Sequence, residues 1–404
     1  MELVMQNLDV TIVGAGSAGL TLALLLAEQG LKVALVEKGA EPLPATPAYL
    51  RVSALNPASQ RVLAHLGVWD GIAAQAAAYQ QMQVWDADSF GRIHFAAEPP
   101  QPADLGWICD NEAIRQQLYQ KVQQQPAIHC YFAAQIQQLV QSEREVLLQL
   151  SSGEILLSEL LVGADGVNSY VRQQLQLPLT HWDYQQDAIV AVIHCDEPHQ
   201  ATARQVFLPT GPLALLPLPH PKHCSIVWSA ETSRASELMA LDDAAFARAL
   251  TAASQSVLGC LTLATARSVH PLRMRYASDW VRGRVVLVAD AAHSIHPLAG
   301  QGMNLGLMDV TALAELLGKQ QQAGKPLFAP RVLQAYQRWR KAEAQSMIAA
   351  MEAFKRGFSN EQPALKFLRG AGLLLADKLP FVKQQLMAQA LGNSGDLPAL
   401  AKPN

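Results

Sequence analysis

The sequence predicts an α/β fold: a Rossmann-like parallel sheet, interrupted by an inserted antiparallel sheet and followed by a helical region. Three observations predict it. Apolar runs that read as buried strands end in glycine-rich turns at three separated places, around Gly14, Gly163 and Gly300. Residues 79–95 and 184–272 alternate short apolar runs with Pro and Gly turns, as strands of a sheet do. From 331 to 392 the chain reads as helices.

The first unit is compact. Residues 9–13 (Asp-Val-Thr-Ile-Val) read as a short buried strand, and Gly14-Ala15-Gly16-Ser17-Ala18-Gly19 follows. An apolar helix over 20–29 comes next, ended by Gly30 as a C′ glycine. A strand over 32–36 closes a βαβ start, with Glu37 and Lys38 at its end. In such a loop the first glycine permits the tight turn. The second lets the backbone approach a pyrophosphate, and the third lets helix and strand pack closely. The helix N-terminus presents unpaired N–H groups and partial positive charge to the phosphates. Gly14, Gly16, Ser17, Ala18 and Gly19 are therefore candidate phosphate contacts. Glu37, with Lys38 beside it, is the candidate acceptor for ribose hydroxyls, which favours an unphosphorylated adenosine ribose. The loop alone does not separate FAD from NAD.

Composition narrows the class. At 404 residues the chain is long enough for two or three domains; half its residues are apolar and 16% charged, which indicates a globular protein. Net charge is −3 with no long basic run, so nucleic acid is not an expected partner. The five cysteines, at 109, 130, 195, 224 and 260, form no CxxC and are odd in number, which argues for reduced thiols in a cytoplasmic protein. No basic leader precedes an apolar h-region, and no stretch approaches the ~20 apolar residues of a spanning helix.

In the second glycine segment a strand over 160–162 runs into Gly163-Ala164-Asp165-Gly166, with Ser169 and Arg172 behind it at helical spacing. In the third, a strand over 284–289 ends at Asp290; His293, His296 and Pro297 lead to Gly300-Gln301-Gly302 and an apolar helix from about 303 to 317. The start of that helix suits a ring that becomes anionic when reduced, as flavin does. Asp290, His293 and His296 also spell D-x2-H-x2-H, but in an irregular loop and not at i, i+4 on one helix face. No metal is expected there; His296 and Pro297 are expected to shape the loop at the flavin edge.

This order of motifs resembles the class A flavin monooxygenases, the para-hydroxybenzoate hydroxylase fold group, and within it the ubiquinone-biosynthesis hydroxylases. The narrower resemblance is carried by residues 51–57 (Arg-Val-Ser-Ala-Leu-Asn-Pro), 84–86 (Val-Trp-Asp), 182–184 (Trp-Asp-Tyr), 204–207 (Arg-Gln-Val-Phe) and 296–302 (His-Pro-Leu-Ala-Gly-Gln-Gly). It runs over roughly residues 9–391 and looks closest to the branch that hydroxylates a 2-polyprenylphenol at ring position C5, also numbered 6. One departure is visible. Ala289 precedes Asp290 where the group has Gly, and its methyl is expected to crowd the flavin ribityl chain slightly.

The resemblance implies an FAD-binding domain over 1–78, 107–183 and 273–330. It implies a substrate lid over 79–106 and 184–272, C-terminal helices over 331–392 and a tail over 393–404. It implies that Asp290 bonds the ribityl or pyrophosphate region, that Gly302 and Met303 offer N–H groups to the flavin pyrimidine edge beside Asn304, and that Pro297 and Gly300 belong to the same loop. Arg51 and Arg115 are expected near the pyrophosphate, and Asp165 at both flavin and nicotinamide donor. Asn56 is read as an N-cap with Pro57 at N1. The implied reaction puts one atom of O2 into an electron-rich ring, with NAD(P)H as electron donor, in a site kept dry by the lid. No residue is assigned as the base. A flavin hydroxylase of another aromatic position and a non-catalytic flavin scaffold stay open as alternatives. The expected partner is a hydrophobic prenylated phenol; other ubiquinone-biosynthesis proteins and a homo-oligomer stay open. Lys355, Arg356, Lys366, Arg369, Lys378 and Lys383 lie among apolar residues and suit either an anionic membrane face or a packed helical cap.

Overall fold

The computed structural model describes residues 5–43, 48–96, 104–294, 301–358, 375 and 379–403. Its organising element is a parallel sheet. The strand Met5–Val13 pairs in parallel with Val33–Val36 on one side and Ile155–Gly163 on the other. Ile128–Tyr131 extends the sheet beyond Val33–Val36, and Val285–Leu287 extends it beyond Ile155–Gly163, both again in parallel. All four residues of Val33–Val36 are buried, as expected for a strand covered on both faces. Parallel pairing sets the C-terminal ends of these strands along one edge. The glycine loop, Glu37, the Asp-Gly turn and Asp290 all follow strand ends at that edge, where open α/β sheets bind ligands. The helices Ser17–Glu28 and Gln301–Gln322 pack on each other and on the sheet through Leu20, Leu24, Leu307 and Leu313, among others.

The insertion forms a nine-stranded sheet. Its spine runs His293–Ser294, Ser268–Ala277, Leu179–Cys195, His223–Glu231, Gly211–Pro217, Thr202–Leu208, Gln81–Asp86, Arg92–Ala96. The expected antiparallel pairing holds throughout except between Gln81–Asp86 and Thr202–Leu208, which pair in parallel. No hairpin joins those two strands. The cofactor unit lies between them in sequence, so no tight turn imposes the antiparallel sense. Two helices not foreseen from sequence, Thr232–Ala240 and Asp243–Ala253, cover the outer face with Leu238, Phe246 and Leu250 under Ile226 and Trp228.

The expected domain edges at 183/184 and 272/273 fall inside continuous strands, Leu179–Cys195 and Ser268–Ala277, with a register shift between Asp183 and Gln186. The two units share these strands; no linker separates them. A small sheet of Val52–Leu55, Ala77–Tyr79 and Gly106–Asp110 bridges to the lid.

The helices Pro330–Phe358 and Pro380–Ala390 occupy the predicted C-terminal region. Of the residues read there as an amphipathic face, Lys366, Arg369 and Lys378 lie outside the described residues. The expected tail is instead folded onto the core. Arg61 donates to the Ala401 carbonyl and to Asn393 Oδ1, each at 2.8 Å, and Ala401 is fully buried. A segment this short and aperiodic carries no sequence signal for docking.

The strand expected over 284–289 stops at Leu287, because Ala289 adopts φ 51° and opens a short 3-10 turn, Ala289–Ala291. Its methyl points at the following helix: a Cβ placed on Gly306 would lie 2.9 Å from the Ala289 Cβ. The departure from Gly is thus accommodated by a missing side chain at 306. Gly306→Ala should cost about 1–3 kcal/mol by overpacking, and Ala289→Gly should relieve about 1 kcal/mol of left-handed strain. In the double variant the Gly306→Ala penalty should shrink. Denaturant unfolding of the four proteins measures this coupling, and an undiminished penalty would show that the two sites do not touch.

Candidate active site

The three glycines of the first loop have separable roles. Gly14 has φ 110°, and a Cβ there would meet the Ala164 carbonyl oxygen at 2.3 Å. A Cβ on Gly19 would meet the Gly14 carbonyl oxygen at 1.9 Å, whereas one on Gly16 would meet nothing within 4 Å. The outer two are therefore required by packing, and Gly16 keeps its approach open. The loop is held from both sides. Glu37 accepts from Ala15 N–H at 2.8 Å, and Arg115 Nε donates to the Ala15 carbonyl at 3.0 Å. Arg115 reaches it from the helix Asn111–Val122, which Asp110 caps through Glu112 N–H and Ala113 N–H. Glu37 spends its other oxygen on Gly39 N–H at 2.7 Å, leaving lone pairs on both oxygens for further donors.

Beside the loop lies a cavity of about 400 Å³. Gly14, Gly16, Glu37 and Lys38 line one side, Asp165 and Gly166 another, and Ala134 to Ile136 a third. The 134–136 segment was not singled out from sequence; it follows the parallel strand Ile128–Tyr131 and bears no glycine signature. Asp165 accepts from Val171 N–H at 3.1 Å through Oδ2, while its Oδ1 is buried with no hydrogen-bond partner. Burial raises the Asp165 pKa, opposed by the Ser169 hydroxyl and by backbone N–H groups. Ser169 caps Arg172 N–H, and the buried Arg172 guanidinium donates to the Ala291 carbonyl (2.7 Å) and the Val167 carbonyl (2.8 Å). That clamp ties the second glycine segment to the third.

Asp290 is exposed by surface area, although neighbouring groups crowd its carboxyl. Burial raises its pKa; the charges of His293 and Arg51 oppose the rise, which sets Arg51 within electrostatic reach of Asp290. The turn itself is fixed by Asp309, which lies on the Gln301–Gln322 helix and is fully buried. Asp309 Oδ2 accepts from His293 Nε2 at 2.6 Å and Ala289 N–H at 3.2 Å, and Oδ1 accepts from Arg340 Nε at 2.8 Å. Sequence reasoning missed this cluster, although a lone Asp on an otherwise apolar helix stretch was its signal. His293 is thus engaged in structure. Among the described residues no group of three His, Cys, Asp or Glu is placed to hold a metal. His296, Pro297 and Gly300 lie outside the described residues.

Asn304, expected beside Gly302 and Met303, engages its side chain with protein groups. It is 3% exposed, and its carbonyl accepts from Asn56 N–H and Ser59 Oγ. Its amide donates to the Ala54 carbonyl and to Gln301 Oε1. Its groups are committed to joining the helix start to the 51–57 segment, where Asn56 caps Ser59 N–H and Pro57 opens a helix. Gly302 and Met303 sit in the first turn of the Gln301–Gln322 helix, whose leading N–H groups have no intrahelical partner. A Cβ on Gly302 would meet nothing within 4 Å.

An open cradle at Gly16, an orphaned carboxylate oxygen at Asp165 and an adjoining cavity fit a dinucleotide with hydroxyl donors. The family model described as FAD binding domain matches residues 7–351. The chain belongs to the FAD binding domain family. It is 34% identical over 391 residues to the 3-demethoxyubiquinol 3-hydroxylase of Escherichia coli (strain K12), covering 96% of this chain and 99% of that protein. It is 33% identical to the ubiquinone hydroxylase UbiL of Rhodospirillum rubrum, covering 95% and 89%. The solved structure of p-nitrophenol 4-monooxygenase PnpA from Pseudomonas putida DLL-E4 shares the fold, with TM-score 0.78 at 19% identity over 96% of this chain and 99% of that one. The chain is an FAD-dependent hydroxylase of the ubiquinone-biosynthesis family.

The raised carboxyls give a testable sign. An acid with a raised folded pKa binds more protons folded than unfolded between the two values, so stability falls as pH rises through that window. Asp165→Asn or Asp290→Asn should therefore raise the melting temperature of the FAD-free protein at pH 7 by about 1–2 °C. Each should weaken FAD binding by about tenfold. Calorimetry and FAD titration check both; lower melting together with unchanged FAD affinity would assign these carboxylates to the scaffold.

Proposed function

We propose that this enzyme hydroxylates the aromatic ring of a polyprenylphenol on the route to ubiquinone. The observation carrying the reading is that the lid is hydrogen-bonded to the segment following Asp290, with Arg275 opposite Ser294 and Tyr276 opposite His293. The sheet that would cover a substrate is thereby fixed to the turn assigned to the cofactor. When bound, FAD supplies the redox chemistry, drawing electrons from NAD(P)H and activating O2. The chain's own residues hold and shield. The glycine loop and Ser17 seat the pyrophosphate, Glu37 and Asp165 accept hydroxyls, and Asp290 orients the ribityl region. The first turn at Gly302 stabilises negative charge on the ring. The lid keeps out water, which would divert activated oxygen to H2O2.

A second reading moves the substrate to 3-demethoxyubiquinol, on the strength of the relative that bears that name and aligns along 96% of this chain. A membrane surface is the proposed source of either substrate. Among the described residues no helix is long and apolar enough to cross a membrane, but Leu375, Leu379 and Phe381 are 57%, 43% and 70% exposed.

The purified protein should be yellow and should consume NAD(P)H faster when given a geranylated phenol, with a product 16 mass units heavier in proportion to ~1 O atom per turnover. Colourless protein that takes up no FAD, or oxidation unaffected by the phenol, would overturn the reading. A strain lacking the gene separates the two substrates by whether it accumulates an unhydroxylated polyprenylphenol or 3-demethoxyubiquinol. In liposome flotation, truncation after Gly357 should lower recovery with anionic vesicles; equal recovery rejects the membrane contact.

A further inference from the structure

A second cavity lies on the lid, away from the cofactor. In the antiparallel pair Gln81–Asp86 and Arg92–Ala96, Gln83 lies opposite His94 and Trp85 opposite Arg92. Side chains alternate along a strand, so these four share one face of the sheet. It is the outer face, because Trp85 packs in one cluster with Ile226, Phe246 and Leu250. Gln255 and Val257, just past the helix Asp243–Ala253, line the other side of a cavity of about 340 Å³. That volume is within the ordinary range for a small-molecule site. In the strand order this is the edge opposite to His293–Ser294, the strand that joins the cofactor turn. At ~4.8 Å per strand the two edges are on the order of 30 Å apart.

The wall is tied to the floor by an unusual helix end. The helix closes in a Schellman motif: Gln255 N–H donates to the Ala252 carbonyl and Ser256 N–H to the Thr251 carbonyl, each at 3.0 Å. Gln255 takes the left-handed C′ position, φ 54°, where glycine is the usual residue. A glycine there would lack the amide, whose Oε1 accepts from Trp85 Nε1 at 3.0 Å. That bond leaves Gln255 Nε2 as a donor on the cavity wall. The side chains of Gln83 and Arg92 make no hydrogen bond or ion pair among the described residues. His94 bonds Gln81 Oε1 at 3.1 Å and closes the strand side. Among the described residues no Asp or Glu lines the cavity. Three side-chain donors, one a guanidinium, with no acid to balance them favour an anion. The Trp85 indole and the exposed Val257 add apolar surface, and indole and guanidinium both pack well on aromatic rings.

We propose that this cavity is a second ligand site that takes a small aromatic carboxylate. The carboxylate lies among Arg92, Gln83 and Gln255, and the ring between Trp85 and Val257. The site stands apart from the reaction chamber and does not depend on which ring the enzyme hydroxylates. It explains why the helix end forgoes glycine: the amide that a left-handed glutamine supplies both fixes the wall and faces the anion.

The FAD-loaded full-length protein is titrated calorimetrically with 2-naphthoate and with the neutral 2-naphthamide, while flavin absorbance is recorded in parallel. The naphthoate should bind at least tenfold more tightly than the amide, quench tryptophan fluorescence and leave the flavin bands unmoved. Arg92→Gln, at an exposed side chain, should weaken naphthoate about tenfold. Gln255→Gly keeps a residue suited to the left-handed turn, so the fold is retained, and should weaken naphthoate by several-fold. Arg248→Gln, on the neighbouring helix and outside the cavity, should change nothing. Equal affinity for naphthoate and naphthamide overturns the proposal. So does wild-type affinity in both Arg92→Gln and Gln255→Gly, or naphthoate binding that shifts the flavin bands and is indifferent to Arg92. Each of these failures leaves the hydroxylase reading intact.

Discussion

Asp309 sits at the junction of everything that shapes the cofactor end of this molecule. Its carboxylate is wholly buried, a state that by itself would favour the neutral acid. The charges and hydrogen bonds of His293 and Arg340 outweigh burial and hold its pKa below the ordinary value. It therefore stays ionised. One oxygen fixes the Ala289 turn and His293; the other fixes Arg340 on the Pro330–Phe358 helix. The Trp280 ring lies 5.0 Å from that of His293, and Tyr336 donates to the Leu287 carbonyl, closing the cluster with aromatic packing. Its folded pKa is depressed, so its contribution is present above the unfolded carboxylate pKa and fades as acid protonates the folded form. Losing one partner of such a buried pair typically costs about 3–5 kcal/mol, because the other charge is stranded.

From that junction the coupling of lid to cofactor unit follows by hydrogen bonding alone. His293 and Ser294 leave the Asp309 cluster and enter the nine-stranded sheet as its edge strand. The next strand, Ser268–Ala277, and its neighbour Leu179–Cys195 run through both units. Arg172 adds a third tie, from the Asp-Gly turn to the Ala291 carbonyl. The floor and the cover of the proposed reaction chamber are thus parts of one hydrogen-bonded object, and their spacing is set by strand register and not by a flexible joint.

Much of this was legible in the residues. The βαβ start, the roles of Gly14 and Gly19, the Asn56 cap and the strands of the lid were all foreseen, because each rests on local chemistry: a forbidden φ, a side-chain oxygen at a helix start, alternation along a strand. What was missed depends on partners distant in sequence. Asn56 and Ser59, the partners of Asn304, lie some 245 residues away in sequence and left no local signal. Asp309 gave no hint of Arg340, since no spacing rule connects two different helices. The parallel pairing of Gln81–Asp86 and the two covering helices belong to the same class: they are settled by tertiary packing. Ala289 is instructive in a different way. Its methyl was foreseen as a disturbance, yet it is the absence of a side chain at residue 306, on a distant helix, that makes room for it.

The parallel sheet also constrains how the polypeptide matures. Val10 bonds alongside Leu160, and Leu161 alongside Val285, so the first strand has no partner on that flank until residue 160 has been made. At typical translation speeds of about 5–20 residues per second, the wait is roughly ten to thirty seconds. Throughout it, an apolar segment with a bare edge is open to chaperones and to neighbouring nascent chains. Non-local pairing of this kind is intrinsically slow to form. The end of the first strand also bonds Ala164, whose N–H donates to the Val13 carbonyl, and Gly14 packs against that residue, so the glycine loop lacks this neighbour until residue 164 has been made.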